Sequence, residues 1–286
     1  MLSNKTLYVI EGPTAVGKTD YAISKALECD AEIISADSRQ FFKELNIGVA
    51  RPSEEQLNTV KHHFIANISI HDYYSVSKFE IEALALLDKL FMEHNAVVLC
   101  GGSGLYVNAL CNGIDDLPDP NPTIRQDVVD MLNNEGIEVL QNMLKILDPV
   151  FYDKIDLQNH KRLCRAVEVC LQTGKPYSDL RTNTKKERNF NIVRTALFRD
   201  KNELNERINK RVDIMLENGL LDEIKSVYQY KNLNALNTVG YKELFRYLDG
   251  EISLDQAVTD IKTNTRRYAK RQMTWLNKQP TTFIQL

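Results

Sequence analysis

The sequence predicts an α/β protein: a P-loop (phosphate-loop) doubly wound parallel sheet that carries an inserted all-helical domain. Three observations point there. Short apolar runs alternate with helix-periodic segments in the N-terminal part of the chain. The octapeptide Gly12-Pro13-Thr14-Ala15-Val16-Gly17-Lys18-Thr19 lies between one such run and one such helix. A breaker, Asp115-Asp116-Leu117-Pro118-Asp119-Pro120-Asn121-Pro122, opens a long stretch with helical periodicity only.

Residues 7–10 (Leu-Tyr-Val-Ile) are short and apolar enough for a buried parallel strand. Tyr21-Ala22-Ile23-Ser24-Lys25-Ala26-Leu27 starts an amphipathic helix, and 32–36 and 96–100 repeat the buried-strand pattern. Between them, 81–91 places its apolar residues on one helical face. From 123 to about 180 the pattern is helical; 192–198 returns to the sheet. Helices are expected at 202–217, 220–230, 240–248 and 253–276, and a last strand at 281–284. The expected division is a catalytic core of 1–118 and 190–286 with a helical insertion, 119–189.

Ligands of such sheets sit beyond the carboxyl ends of the strands. Three polar turns fall there: 12–19 after the first strand, Asp37-Ser38-Arg39-Gln40 after the second and Gly101-Gly102-Ser103-Gly104 after the third.

Composition narrows the class. A hydrophobic share of 43% and a charged share of 26% describe an ordinary globular protein. No apolar run approaches the ~20 residues needed to cross a bilayer, and the start, Met1-Leu2-Ser3-Asn4-Lys5-Thr6, does not read as a signal peptide. A cytoplasmic protein is expected, with its five cysteines reduced: none forms a C-x-x-C pair or a metal spacing with histidine. The net charge of −3 argues weakly against nucleic acid, but the basic residues are segregated. Lys262, Arg266, Arg267, Lys270, Arg271 and Lys278 lie in a stretch without Asp or Glu; Lys161, Arg162 and Arg165 form a second cluster; Arg181, Lys185, Lys186 and Arg188 a third.

The physical role of each part of the 12–19 loop is specific. Glycine allows the tight turn that points several N–H groups at one anion, and the following helix adds its positive end. Lys18 brings a full charge to the terminal phosphate, and the Thr19 hydroxyl is placed to hold Mg²⁺. The loop recognises a diphosphate group and is indifferent to what carries it.

Asp37 stands where a general base or a metal partner would sit; the plainer alternative is that Asp37-Ser38 caps the next helix. Gly101–Gly104 resembles a second anion turn with the Ser103 hydroxyl aimed into the site, or is a simple strand-to-helix turn. Lys161, Arg162 and Arg165 share one helical face, with Leu163 inward, and a solvated charged face is the alternative. Arg207 and Arg211 are spaced i, i+4, which also suits ion pairs with Glu203 and Glu206. His62 and His63, being adjacent, do not make a metal pair, and Tyr268 and Trp275 read as core.

Taken in order, GPTAVGKT (12–19), DSRQ (37–40), IGVARPS (47–53), HHF (62–64), GGSGLY (101–106), KRLCRAVEV (161–169), ERINKRVDIML (206–216), VGYKEL (239–244) and RRYAKRQMTWL (266–276) resemble the tRNA dimethylallyltransferase (tRNA isopentenyltransferase) family over nearly the whole chain. The resemblance implies transfer of a dimethylallyl group from dimethylallyl diphosphate to the exocyclic amine of the adenosine next to the anticodon (position 37) of tRNA. It implies Asp37 as general base, Ser103 as a hydroxyl contacting diphosphate and target nucleotide, and Arg211 as a diphosphate ligand beside Gly12 to Thr19. It also implies that Asp37, Ser38, Arg39, Gln40 and Ser103, with Lys161, Arg162, Leu163, Cys164 and Arg165, contact tRNA, and that the insertion embraces the anticodon stem-loop. Position 103 commonly carries threonine in the family; the serine keeps the hydroxyl and drops the methyl. The chain ends without the zinc finger of eukaryotic members, so a bacterial-type protein is expected, and nothing in it demands more than a monomer.

The chemistry fits the residues independently. Diphosphate departs as a polyanion that loop amides, Lys18, Arg211 and Mg²⁺ at Thr19 can stabilise. The adenine amine becomes acidic only as its bond to carbon forms, so a carboxylate can take the proton late. The base must leave its stack, and a cleft between core and insertion would accept it, with DSRQ reading its edge. The alternative from another class is a P-loop nucleoside or nucleotide kinase, which should show an arginine-rich lid and no long basic C-terminal helix. A non-catalytic RNA-binding ATPase would need an apolar-run-then-Asp motif that is not evident.

Overall fold

The structure, a computed structural model, describes residues 4–182 and 184–286; the first residues of the segment read above for a leader therefore lie outside the described residues. The strands are β1 (Thr6–Glu11), β2 (Ile33–Ser35), β3 (His62–His63), β4 (Ala96–Cys100), β5 (Asn191–Phe198) and β6 (Thr282–Gln285), in the order β3-β2-β4-β1-β5-β6. Every pair is parallel. The doubly wound sheet expected from the sequence is present. One strand was not anticipated: β3 is two polar residues long, and its alignment with Ile33 and Ile34 comes from tertiary pairing that no periodicity announces.

The helices of the sheet-bearing part are α1 (Lys18–Glu28), α2 (Glu54–Thr59), α3 (Val76–Glu93) and α4 (Gly104–Asn112). The helical segment contributes α5 (Pro122–Glu135), α6 (Ile137–Leu147), α7 (Pro149–Tyr152), α8 (His160–Thr173) and α9 (Tyr177–Leu180). After β5 come α10 (Lys201–Glu217), α11 (Leu220–Val227), α12 (Tyr241–Leu248) and α13 (Leu254–Leu276). The starts follow capping chemistry: Ser75 and Ser253 accept the N–H of Lys78 and Gln256 and so satisfy orphan amides of α3 and α13. The chain divides into two compact units, one formed by the chain up to Asn112 with Glu187–Leu286, the other Gly113–Lys186. Among the described residues the second unit holds helices only.

The core of the first unit packs on both sheet faces. Leu7, Val9, Val97 and Leu99 meet Phe79, Ala83 and Leu87 of α3 on one side; Ile10, Ile33 and Val98 meet Ala22, Ile23 and Ala26 of α1 on the other. Strands buried on both faces must be apolar at nearly every position, which is why β1, β2 and β4 were legible as short apolar runs, whereas β5 carries Arg194 and Thr195 in its middle. The helical unit has its own core of Val128, Leu140, Leu144, Leu163 and Val167. There Asp148, 0% exposed, accepts the N–H groups of Phe151 and Ser178 and the Ser178 hydroxyl, so its charge is compensated. No helix among the described residues is long and apolar enough to cross a membrane.

At the end of β1 a buried ion pair underlies the phosphate loop. Arg194 donates from Nε and Nη2 to Glu11 Oε2 at 2.9 and 2.6 Å. Burial pushes the Glu11 carboxyl up, and the facing guanidinium pulls it back. Arg194→Met leaves that carboxylate alone, and an expected loss of about 3–5 kcal/mol should show as a lower urea midpoint. The double change Glu11→Leu/Arg194→Met should restore most of it; equal midpoints for the single variant and wild type would mean the pair is not a stability element.

Candidate active site

The loop between β1 and α1 turns where Gly12 (φ 154°) and Gly17 (φ 110°) adopt conformations that side chains resist. A Cβ on Gly12 would stand 2.8 Å from the Leu197 carbonyl oxygen. Ala15 also has positive φ, 64°, so outside contacts must hold the loop. Three arginines do so. Arg199 Nε donates to the Val16 carbonyl at 2.8 Å, Arg207 Nε to the Ala15 carbonyl at 2.8 Å and Arg211 Nη1 to the Thr14 hydroxyl at 3.3 Å. The alternative pairing of Arg207 and Arg211 with glutamates is therefore not what the spacing serves; it is Arg199 that meets Glu203, at 2.5 Å.

No side chain caps α1 at Gly17, so the positive helix end faces the loop; the carboxylate of its first turn is Asp20. Lys18 Nζ donates to the Pro13 carbonyl at 2.9 Å. Burial pulls the Lys18 ammonium down to about 8; Cys100 opposes this, and the neighbouring Arg211 cation reinforces it. Burial likewise lowers the Arg211 guanidinium, with Arg207 adding repulsion.

Lys18, Thr19 and Asp37 line one cavity of about 40 Å³, with His62 at its wall. Asp37 Oδ1 accepts the Arg39 N–H at 3.0 Å and its own N–H donates to Ser35 Oγ at 3.4 Å, which fixes the turn after β2. The helix-cap alternative does not describe this turn, since α2 begins only at Glu54. His62 is held by its Nδ1 against the Val60 carbonyl at 2.7 Å, and burial lowers its pKa.

Ser103 is tied to the same turn. Its Oγ accepts the Ser38 N–H at 3.0 Å and lies 3.1 Å from Ser38 Oγ. Ser38 and Ser103 line a second cavity, about 300 Å³, whose far wall includes Tyr106, Tyr268 and Trp275. Tyr268 and Trp275, read from the sequence as core, are instead 36% and 37% exposed and face this cavity. Arg211 also borders a third cavity, about 560 Å³, walled by Asn46 to Glu54.

Packing bears on three of the readings. The glycines of 101–104 are required by close packing: a Cβ on Gly101, Gly102 or Gly104 would come within 2.4 Å of Ala36 O, 2.4 Å of Gln272 Nε2 or 2.2 Å of Trp275 Nε1. Gln40 has both side-chain donors engaged, and Arg39 commits three of its five to the main chain. Arg39 donates to the carbonyls of Asn234, Ala235 and Asn237, and Gln40 Nε2 to those of Val49 and Ala50. On α8, Lys161 and Arg162 are exposed and Cys164 is half-buried, but Leu163 is 0% exposed, so its side chain offers nothing to RNA. Arg165 is anchored within the helical unit, to Glu168 at 3.0 Å and the Pro118 carbonyl at 2.5 Å.

The basic stretch of α13 divides similarly: Lys262 pairs with Asp213 at 2.6 Å and Arg266 donates to Asn209 at 2.6 Å, whereas Arg271 lies over the Tyr268 ring at the 300 Å³ cavity. Sequence reasoning missed Arg199, His62 and Gln272. His62 lies in HHF and Gln272 in RRYAKRQMTWL, two of the segments that carry the family resemblance, but the sequence assigns neither a site role, and Arg199 gave only a charge just after a strand.

The IPP transferase family model matches residues 40–279. A tRNA dimethylallyltransferase of Christiangramia forsetii is 50% identical over 98% of this chain and 92% of its own length. The tRNA dimethylallyltransferase 2 of Azobacteroides pseudotrichonymphae is 50% identical over 96% and 89%. Among solved structures, the tRNA isopentenylpyrophosphate transferase of Bacillus halodurans superposes with a TM-score of 0.72 at 34% identity, covering 98% of this chain and 90% of that one. A eukaryotic dimethylallyltransferase acting on tRNA gives 0.80 at 25% identity, covering 98% and 74%. With its phosphate loop, Asp37 and Ser103 gathered at one sheet edge and a family match spanning most of its length, the chain belongs to the IPP transferase family.

Proposed function

We propose that this chain transfers a dimethylallyl group from dimethylallyl diphosphate to the exocyclic amine of the adenosine beside the tRNA anticodon, at position 37, releasing diphosphate. One observation carries the reading: Lys18, Thr19 and Asp37 share a cavity, and Ser103, bonded to the turn that bears Asp37, fronts the adjoining larger one. The loop, Lys18 and Arg211 hold the diphosphate and stabilise it as it leaves. Asp37 takes the proton from the amine late in bond formation, and Ser103 orients the acceptor. The activity for which the relatives are named supports the same assignment. No observation favours the kinase alternative.

Mg²⁺ fits the donors present. Thr19 offers a hydroxyl and Asp37 a carboxylate in one cavity, both hard oxygen donors. Among the described residues no cluster of three metal-ligating His, Cys, Asp or Glu side chains occurs, which suits an ion that keeps waters and substrate phosphate oxygens. When bound, the ion would neutralise charge developing on the diphosphate. The protein is taken to act as a cytoplasmic monomer with tRNA as its partner.

Lys161 and Arg162 are the exposed cations of α8 best suited to binding phosphates. Substituting both with alanine should reduce the slope of log affinity against log salt for tRNA by roughly 0.7–0.9 for each phosphate no longer neutralised. A weakened affinity at unchanged slope would place the tRNA path elsewhere. The function itself is tested by offering labelled dimethylallyl diphosphate with unmodified tRNA, and separately labelled ATP with nucleosides. Label should enter tRNA only in the first; phosphoryl transfer in the second with none in the first would establish the kinase instead.

A further inference from the structure

Gln272 lies in the basic stretch of α13 yet is only 8% exposed. Its Oε1 accepts the Thr14 N–H at 2.8 Å, and its Nε2 donates to the Gly102 carbonyl at 2.9 Å. One amide therefore joins the loop after β1 to the turn after β4. A carboxylate of the same length lacks the donor, and a methionine lacks both groups. Gly102 makes the room, since a Cβ there would stand 2.4 Å from Gln272 Nε2 and 3.6 Å from Lys18 Nζ. Close packing of Trp275 on Gly104, three residues along α13, fixes the helix against the same turn. Thr14 is thus gripped twice, at its amide by Gln272 and at its hydroxyl by Arg211.

We propose that Gln272 is a positioning residue for the transfer: it sets the separation between the loop that holds the diphosphate and the turn that carries Ser103. The inference rests on the function proposed above. Donor carbon and acceptor nitrogen come from two different substrates, and their alignment depends on two turns that leave the paired strands β1 and β4; the ladder carries the Gly101 N–H to the Ile10 carbonyl at 3.2 Å, and beyond it Gln272 spans the turns. A misplacement of about 1 Å between reacting groups costs on the order of 100-fold in rate.

Gln272→Met keeps length and removes both hydrogen bonds. Gln272→Glu keeps the acceptor to Thr14, removes the donor to Gly102 and sets a carboxylate near Lys18. For the Met variant, single-turnover transfer should slow about 10- to 100-fold while affinities for tRNA and for inorganic diphosphate, each measured alone, stay within about 3-fold. The Glu variant should slow similarly and also bind inorganic diphosphate at least about 10-fold more weakly, because its carboxylate competes for Lys18. A role confined to folding would lower thermal stability and leave the transfer rate of the folded fraction unchanged. Should the Met variant not fold, the Glu variant decides: wild-type transfer rate and wild-type diphosphate affinity there overturn the role. Wild-type protein that does not transfer overturns the parent function; wild type and the Met variant transferring equally fast overturn only the role of Gln272.

Discussion

Lys18→Ala should lower kcat/KM for dimethylallyl diphosphate at least ~100-fold, the scale of one missing electrostatic donor at a developing charge. The reason is local. Lys18 is the only cation carried by the loop itself; Arg199, Arg207 and Arg211 reach it from outside and are engaged with its carbonyls and the Thr14 hydroxyl. The same residue imposes a pH dependence. Burial has brought its ammonium down to about 8, so the charge is present below that pH and is lost as pH rises through it. Since kcat/KM reports ionisations of the free protein, it should fall above pH 8 in wild type. Bound diphosphate raises the ammonium again, so kcat should hold over the same range while KM climbs. Lys18→Arg, whose guanidinium does not titrate there, should remove the alkaline decline even if its absolute rate is lower. Activity of Lys18→Ala within a few-fold of wild type would take the loop out of the mechanism.

Asp37→Asn should leave tRNA and diphosphate affinity changed only a few-fold and slow single-turnover transfer ~100- to 10,000-fold, the usual contribution of a base. The amide is nearly isosteric and its oxygen can still accept the Arg39 N–H, so the turn after β2 persists. What disappears is a group able to take the proton from the attacking amine. Asp37 also shares its cavity with Thr19, so a role in holding Mg²⁺ is the competing explanation. Titrating Mg²⁺ separates them: a missing base does not respond, whereas a missing ligand is rescued. Complete rescue, or near-normal single-turnover rates, would remove Asp37 from the role of base.

The sheet was legible because β1, β2 and β4 are buried on both faces and therefore read as short apolar runs; the edge strand at His62–His63 was not, because two residues carry no period. The phosphate loop was legible because its glycines are demanded by backbone conformation, visibly at Gly12 and Gly17. The turn at 101–104 shows that the same residue type also answers to packing. Gly102 and Gly104 answer to α13 packed almost on top of them and Gly101 to the Ala36 backbone, and no local pattern distinguishes that need from anion binding. Arg39, Gln40 and Arg165 were read as donors for a partner, and each is bonded to main-chain carbonyls elsewhere in the fold. Tyr268 and Trp275 erred the other way, since an aromatic pair on one helix says nothing of whether a cavity opens beside it. Which charges are free and which are braces is a property of packing, which spacing along the chain does not encode.

The loop and Asp37 are held to act together on a prenyl diphosphate and one adenosine. The most direct measurement is a single-turnover reaction with excess protein, unmodified tRNA and labelled dimethylallyl diphosphate, followed by nuclease digestion and quantification of both products. The expected result is one prenylated adenosine per tRNA, located beside the anticodon, formed in equal amount and at the same rate as free diphosphate. Diphosphate released without prenylated adenosine, or label found on another nucleotide, would contradict this mechanism.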